Sequence, residues 1–144
     1  MFIKNYIYEN RKEIDDIYLH DSFLENIIIN VSEKKIDMNI NWEWPKHKEC
    51  NLCFEKVVYF KFDRLDFWGD AGDCICDIYL GEDDFAEKYM SEKIKKEQLE
   101  AKKKKCSEPI NIFKTNKFIT VCIQLLSGDI EIIICEKMIF IDNE

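Results

Sequence analysis

Apolar and polar side chains alternate most cleanly between Ile36 and Trp44. Ile36, Met38, Ile40, Trp42 and Trp44 fall on one side, and Asp37, Asn39, Asn41 and Glu43 on the other. A period of two marks a strand with one buried face, so the pattern places Trp42 and Trp44 in the core. The preceding arm, about Phe23–Val31, puts Ile27, Ile29 and Val31 on one face. Ser32-Glu33-Lys34-Lys35 turns one arm into the other, and the polar corner His20-Asp21-Ser22 leads into the hairpin. Phe2–Tyr8 reads as a short strand and Glu9–Asp16 as a polar turn.

Pro45 has no N–H to give a ladder and stops the second arm. Pro45–Glu55 then reads as a polar connection carrying His47, Cys50 and Cys53. Lys56–Phe62 is β-branched and aromatic, hence a strand, and Asp63–Asp73 an acidic loop holding Phe67, Trp68, Gly69 and Gly72. Cys74–Leu80 is the next strand, broken by Gly81. A long helix is expected at about 84–105, with Asp83 or Asp84 as its N-cap. Its acidic residues come early and Lys102–Lys105 come last, the order the helix dipole favours. Phe85, Ala86, Tyr89, Met90, Ile94, Leu99 and Ala101 make only a thin apolar stripe, so the helix should pack by its first half. A second hairpin pairs Phe118–Leu126 with Ile130–Ile141 through Ser127-Gly128-Asp129.

This order gives a mostly-β α+β domain, an antiparallel twisted meander folded as a sandwich or partly open barrel with one long helix. At 144 residues one domain, 1–144, is the natural division. The net charge of −8 opposes nucleic-acid binding, which needs a basic footprint, and suits a basic protein partner. No apolar run approaches a membrane span. The start, Met1-Phe2-Ile3-Lys4-Asn5, has no long apolar segment of a signal peptide. Seven cysteines without the spacing of a secreted disulfide framework point to a reducing, cytoplasmic setting.

The sharpest chemical spacing is His47-x-x-Cys50-x-x-Cys53 with Cys74-x-Cys76 further on. Zinc takes four N or S ligands in a tetrahedron, so these five are the metal candidates. Free cysteines are equally good small core residues, and bulky Leu52 and Phe54 follow the thiols where a zinc turn needs small residues. Cys122 and Cys135 belong to hairpin strands and to the core. His20-Asp21-Ser22 cannot be a triad, because consecutive residues do not converge on one point. It reads as a hydrogen-bonded corner in which Asp21 or Ser22 satisfies backbone N–H groups and the imidazole is half-buried. No glycine-rich phosphate loop and no nucleophile motif is present, so no enzyme activity and no cofactor is expected. The acidic stretch offers Asp63, Asp66, Trp68, Asp70 and Asp73 as a partner-binding face, a large aromatic ringed by charge.

Leu19-His20-Asp21-Ser22-Phe23-Leu24-Glu25-Asn26-Ile27, with Phe67-Trp68-Gly69 and Ile75-Cys76-Asp77-Ile78, resembles a loose group of small bacterial proteins. They open with a Leu-His-Asp-Ser corner before a β-meander, and some look like immunity proteins of polymorphic toxin systems. The resemblance spans about Tyr18–Leu80; the long helix and the cysteine-bearing connection depart from it. It implies a non-enzymatic acidic protein that neutralises a bacterial toxin, a basic toxin being the partner that suits its charge. The alternatives are a small Cys/His metal-binding domain and a structural module that dimerises through a sheet edge or the helix.

Overall fold

The computed structural model describes residues 1–62, 74–82, 85–105 and 117–143. The strands are β1 (Phe2–Tyr6), β2 (Ser22–Asn30), β3 (Lys35–Trp42), β4 (Lys48–Glu55), β5 (Tyr59–Lys61), β6 (Cys74–Leu80), β7 (Ile119–Leu125), β8 (Ile130–Cys135) and β9 (Lys137–Asp142). A 3-10 helix covers Tyr8–Asp16 and the long helix α1 covers Phe85–Lys104. All ladders are antiparallel, in the order β1-β9-β4-β3-β2-β6-β7-β8-β5.

The two ends of that order are tied by chain continuity. β5 follows β4 after Lys56-Val57-Val58, and β9 follows β8 after Glu136. Thus β4/β9 and β5/β8 are successive stretches of one long ladder, interrupted where both chains bend. At the bend Lys56 takes a left-handed backbone (φ 53°), and its Nζ lies 3.5 Å from Glu136 Oε2. Val57 N–H donates to Lys34 O and Val58 N–H to Ile134 O, both at 2.9 Å. The sheet therefore folds back on itself as a partly open barrel. Its loosest seam is β2/β6, where only Ser22 and Phe23 pair.

The enclosed face carries the core. Ile36, Met38, Ile40, Leu52, Phe54, Ile75, Ile78, Ile119, Val121, Ile123, Leu125, Ile133 and Met138 are all buried there. The Tyr8–Asp16 segment is not the open turn its polarity suggested: Ile14 is fully buried, and Ile17 and Leu19 follow it inward. Ile14 is the buried residue of this helix, which packs against β1 and β6. β7 is covered on both sides. Its outward Thr120 and Cys122 are buried too, while Phe85 of α1 packs with Phe118 and Ile134. Met90 and Ile94 are buried and Leu99 is exposed, so the helix does pack by its first half. Gly81 lies so close to Thr120 that an added Cβ would come within 2.7 Å of its Cγ2. Gly128 holds φ 95° in the β7–β8 turn, a conformation suited to glycine.

Strand boundaries differ from the sequence reading. The strand expected over Lys56–Phe62 is Tyr59–Lys61 alone, and the arm expected over Ile130–Ile141 is divided into β8 and β9 at Glu136. Lys48–Glu55 is a full strand rather than a polar connection, because Cys50, Leu52 and Phe54 alternate with Glu49, Asn51 and Cys53 and pair along β3. The acidic stretch 63–73, the N-cap candidates Asp83 and Asp84, and 106–116 lie outside the described residues.

Phe54 is fully buried and Ile28, on β2, is more than half exposed. Phe54→Ala is expected to lower unfolding free energy by about 3–5 kcal/mol, and Ile28→Ala by about 0.5 kcal/mol or less. Urea midpoints with unchanged slopes would check both; equal effects would contradict the assigned inner face.

Candidate functional site

Cross-strand partners on the inner face form successive rungs. Tyr6, Met138, Phe54 and Ile36 make one; Lys4, Phe140, Leu52 and Met38 the next; Phe2, Asp142, Cys50 and Ile40 a third; Lys48 faces Trp42 beyond them. The rungs pass from fully apolar and buried to partly charged and exposed as they approach this end. Side chains of one face recur every second residue, so this gradient is written in β1, β3, β4 and β9 at the same level. It ends in a cleft of about 1010 Å³, completed by Asp16–Tyr18, His20, Asp21 and Phe23 on one side and Glu43–Lys46 on the other.

Ion pairs and rings alternate on the floor. Lys48 Nζ lies 3.2 Å from Asp142 Oδ2 and 5.3 Å from the Trp42 ring centroid. Lys4 Nζ lies 3.0 Å from Glu13 Oε1 and 5.3 Å from the Tyr6 ring. The Glu13 hydrogen bond holds the Lys4 ammonium above its usual range, against a smaller desolvation effect, while burial raises the Tyr6 phenol. Trp42 is half-buried against the core, and its Nε1–H donates to His20 O at 3.1 Å. Trp44, placed in the core by alternation, is 83% exposed. The sheet ends at Trp42, so beyond that residue the period no longer reports burial.

The His20-Asp21-Ser22 corner is built as a turn. Asp21 adopts φ 64° and its N–H donates to Ile75 O at 3.1 Å. Ser22 is fully buried, and its hydroxyl donates to Leu19 O; it satisfies a carbonyl, not the N–H expected from sequence. His20 Nδ1 is 2.8 Å from Cys76 O. A carbonyl only accepts, so Nδ1 carries a proton, leaving Nε2 3.5 Å from Asp21 Oδ1.

The metal candidates are not brought together. Cys50 and Cys53 stand three apart on β4, so they point to opposite faces; Cys50 joins the core, while Cys53 pairs outward with Asp37. A register shift between Ile75 and Asp77 breaks the alternation that would have set Cys74 and Cys76 on one face. Burial pushes the Cys50 and Cys53 thiols up to about 12 and Cys122 up to about 11, and also raises Cys135. A metal needs the thiolate. His47 is exposed between carboxylates, with Glu49 Oε1 3.1 Å from Nε2 and Glu43 Oε1 3.5 Å from Nδ1. Among the described residues no group of three or more His, Cys, Asp or Glu is placed to hold a metal ion. The partner-face candidates Asp63, Asp66, Trp68, Asp70 and Asp73 lie outside the described residues. Of the cleft's lining, the sequence names Cys74 only as a metal candidate and His20-Asp21 only as a structural corner. The signal available was Lys48, a charged residue on the apolar side of a strand that read as a connection.

The chain matches no known protein family, no curated protein and no solved structure. No described helix is long and apolar enough to cross a membrane.

Hydrogen bonding to Glu49, then the charges of Glu43 and Glu49, raise His47 above its ordinary 6.5. A raised folded value means its stabilisation is complete below 6.5 and is lost as pH climbs through the folded value. A ring-proton NMR titration should place His47 above 6.5, and Glu49→Gln should bring it down; no downward movement would contradict the pairing. Iodoacetamide at pH 8 should leave buried Cys50, Cys122 and Cys135 unmodified in folded protein and modify them in urea. Their rapid alkylation in the folded state would contradict the burial.

Proposed function

We propose that this chain is a non-catalytic binding protein of the immunity type, and that it holds a protein partner in the cleft at the open end of its sheet. The observation that carries the reading is the exposure of large rings around one concavity: Trp44 at 83%, Tyr18 at 71% and Phe2 at 56%. Isolated exposed apolar residues are ordinary, but contiguous ones around a concave site mark interaction surfaces. Aromatic anchors seated among charged groups are what protein interfaces use. Two further features support it: the net charge of −8, which speeds encounter with a basic partner, and the resemblance carried by Leu19–Ile27. The acidic stretch 63–73, with Asp63, Asp66, Trp68, Asp70 and Asp73, remains a proposed partner-binding segment on its sequence alone.

A second reading has one observation in its favour. Among the described residues, Leu24–Asn30 of β2 pairs only with β3, and Ile28, Ile29 and Val31 are exposed on that arm. An open, apolar strand edge can pair with another copy. Sedimentation over a dilution series separates the two: a concentration-independent monomer retires the assembly reading.

An immunity protein protects its own cell. A strain lacking this chain should lose in co-culture with its parent. The wild-type chain should restore fitness, and the Trp44→Ala, Tyr18→Ala double variant should not, although it keeps the wild-type unfolding midpoint. Equal fitness of the deletion strain and its parent under contact would contradict the immunity reading.

A further inference from the structure

We propose that the cleft is a seat for a guanidinium group, an arginine side chain of the partner stacked on Trp44 and held by the carboxylates of Asp21 and Glu43. The inference rests on the cleft being the docking site and specifies what enters it. The chain's own cations around the cleft show the arrangement. Lys48 lies near the Trp42 ring with Asp142 as its counter-ion, and Lys4 lies near Tyr6 with Glu13 as its counter-ion. Just outside, the Arg11 guanidinium carbon is 3.9 Å from the Tyr8 ring centroid. Each ring already matched to a cation is the less accessible kind. Trp44 and Tyr18 repeat the chemistry with their faces open to solvent.

The charges point the same way. Lys4 and Lys48 are balanced by Glu13 and Asp142. Of the remaining charged groups lining the cleft, Asp16, Asp21 and Glu43 stand against Lys46, so carboxylates outnumber ammonium groups; Asp21 and Glu43 each lie 3.5 Å from an exposed imidazole, His20 and His47, that a forked cation would have to join or displace. An anionic group would meet that excess, whereas a cation is drawn by both carboxylates and ring faces. Arginine fits better than lysine. Its guanidinium is planar, weakly hydrated and forked, so it can stack on an indole while donating to two carboxylates.

The test is an NMR titration of the full chain. The probes are N-acetyl-arginine methylamide, its neutral isostere N-acetyl-citrulline methylamide, and N-acetyl-glutamate methylamide. The Trp44 indole N–H is identified by its loss in Trp44→Phe. The arginine probe should shift the Trp44 signal saturably, and the other two should not. Glu43→Gln and Asp21→Asn should each weaken the shift about two- to fivefold; asparagine tolerates the left-handed backbone at Asp21 (φ 64°). Added salt should weaken it as well. Equal response to citrulline, a response to glutamate, or an arginine response confined to signals away from Trp44 would each overturn the proposal. If arginine fails while co-culture fitness still requires Trp44 and Tyr18, the docking reading stands and only the guanidinium seat falls. If arginine binds while fitness is unaffected, the seat stands and the immunity reading falls.

Discussion

The antiparallel ladder between segments 48–61 and 130–142 is the constraint on which the rest depends. It runs through β4/β9, bends, and resumes in β5/β8. The bend brings the two halves of the sheet over one another, so their inner faces share one core instead of needing separate covers. An open sheet would have to find a second layer for each face. Among the described residues Phe85 of α1 packs near Phe118 and Ile134, while the inner face of the sheet, joined by Ile14 of the 3-10 helix, makes the main core. Lys56 in a left-handed backbone at this bend costs about 1 kcal/mol, and two backbone hydrogen bonds from Val57 and Val58 secure the turn.

A sheet folded this way has ends, and at one end the inner face turns polar. Buried Tyr6, Met138, Phe54 and Ile36 fill one rung, whereas Lys4, Phe2, Asp142 and Lys48 appear at successive levels outward. Charged groups tolerate such places only when paired, and the Lys4–Glu13 and Lys48–Asp142 contacts provide that. The result is a cleft whose floor continues the core and whose rim is wet. Strand register, 3-10 helix placement and cleft chemistry are therefore consequences of one folding-back. The function proposed for the cleft uses the rings that this arrangement leaves uncovered.

Much of the fold was legible in the sequence. Alternation from Ile36 to Trp42, the Gly128 turn and the charge order of α1 each report a local physical cause, and each is local in the chain. What was missed has non-local causes. β4 reads as a connection because lysines, glutamates and cysteines dilute its pattern, yet Cys50, Leu52 and Phe54 are buried by pairing with β3 and β9. Trp44 continues the alternation of β3, but its exposure is decided by where the neighbouring strands stop. The cysteine spacing suggested a metal site because separation in sequence was read without facing; β4 geometry turns Cys50 and Cys53 apart. The cleft gathers residues from β1, β3, β4, β9 and the His20 corner, and no short motif could have announced it.

The most direct test places a photo-activatable cross-linking residue at position 44 in cells of the host, with the same residue at Val31 on the β2 arm and at Leu99 on α1 as comparisons. If the cleft is the docking site, position 44 alone should give a discrete adduct, and mass spectrometry should find the joined partner peptide carrying arginine. Adducts from Val31 or Leu99 with none from position 44 would contradict the account.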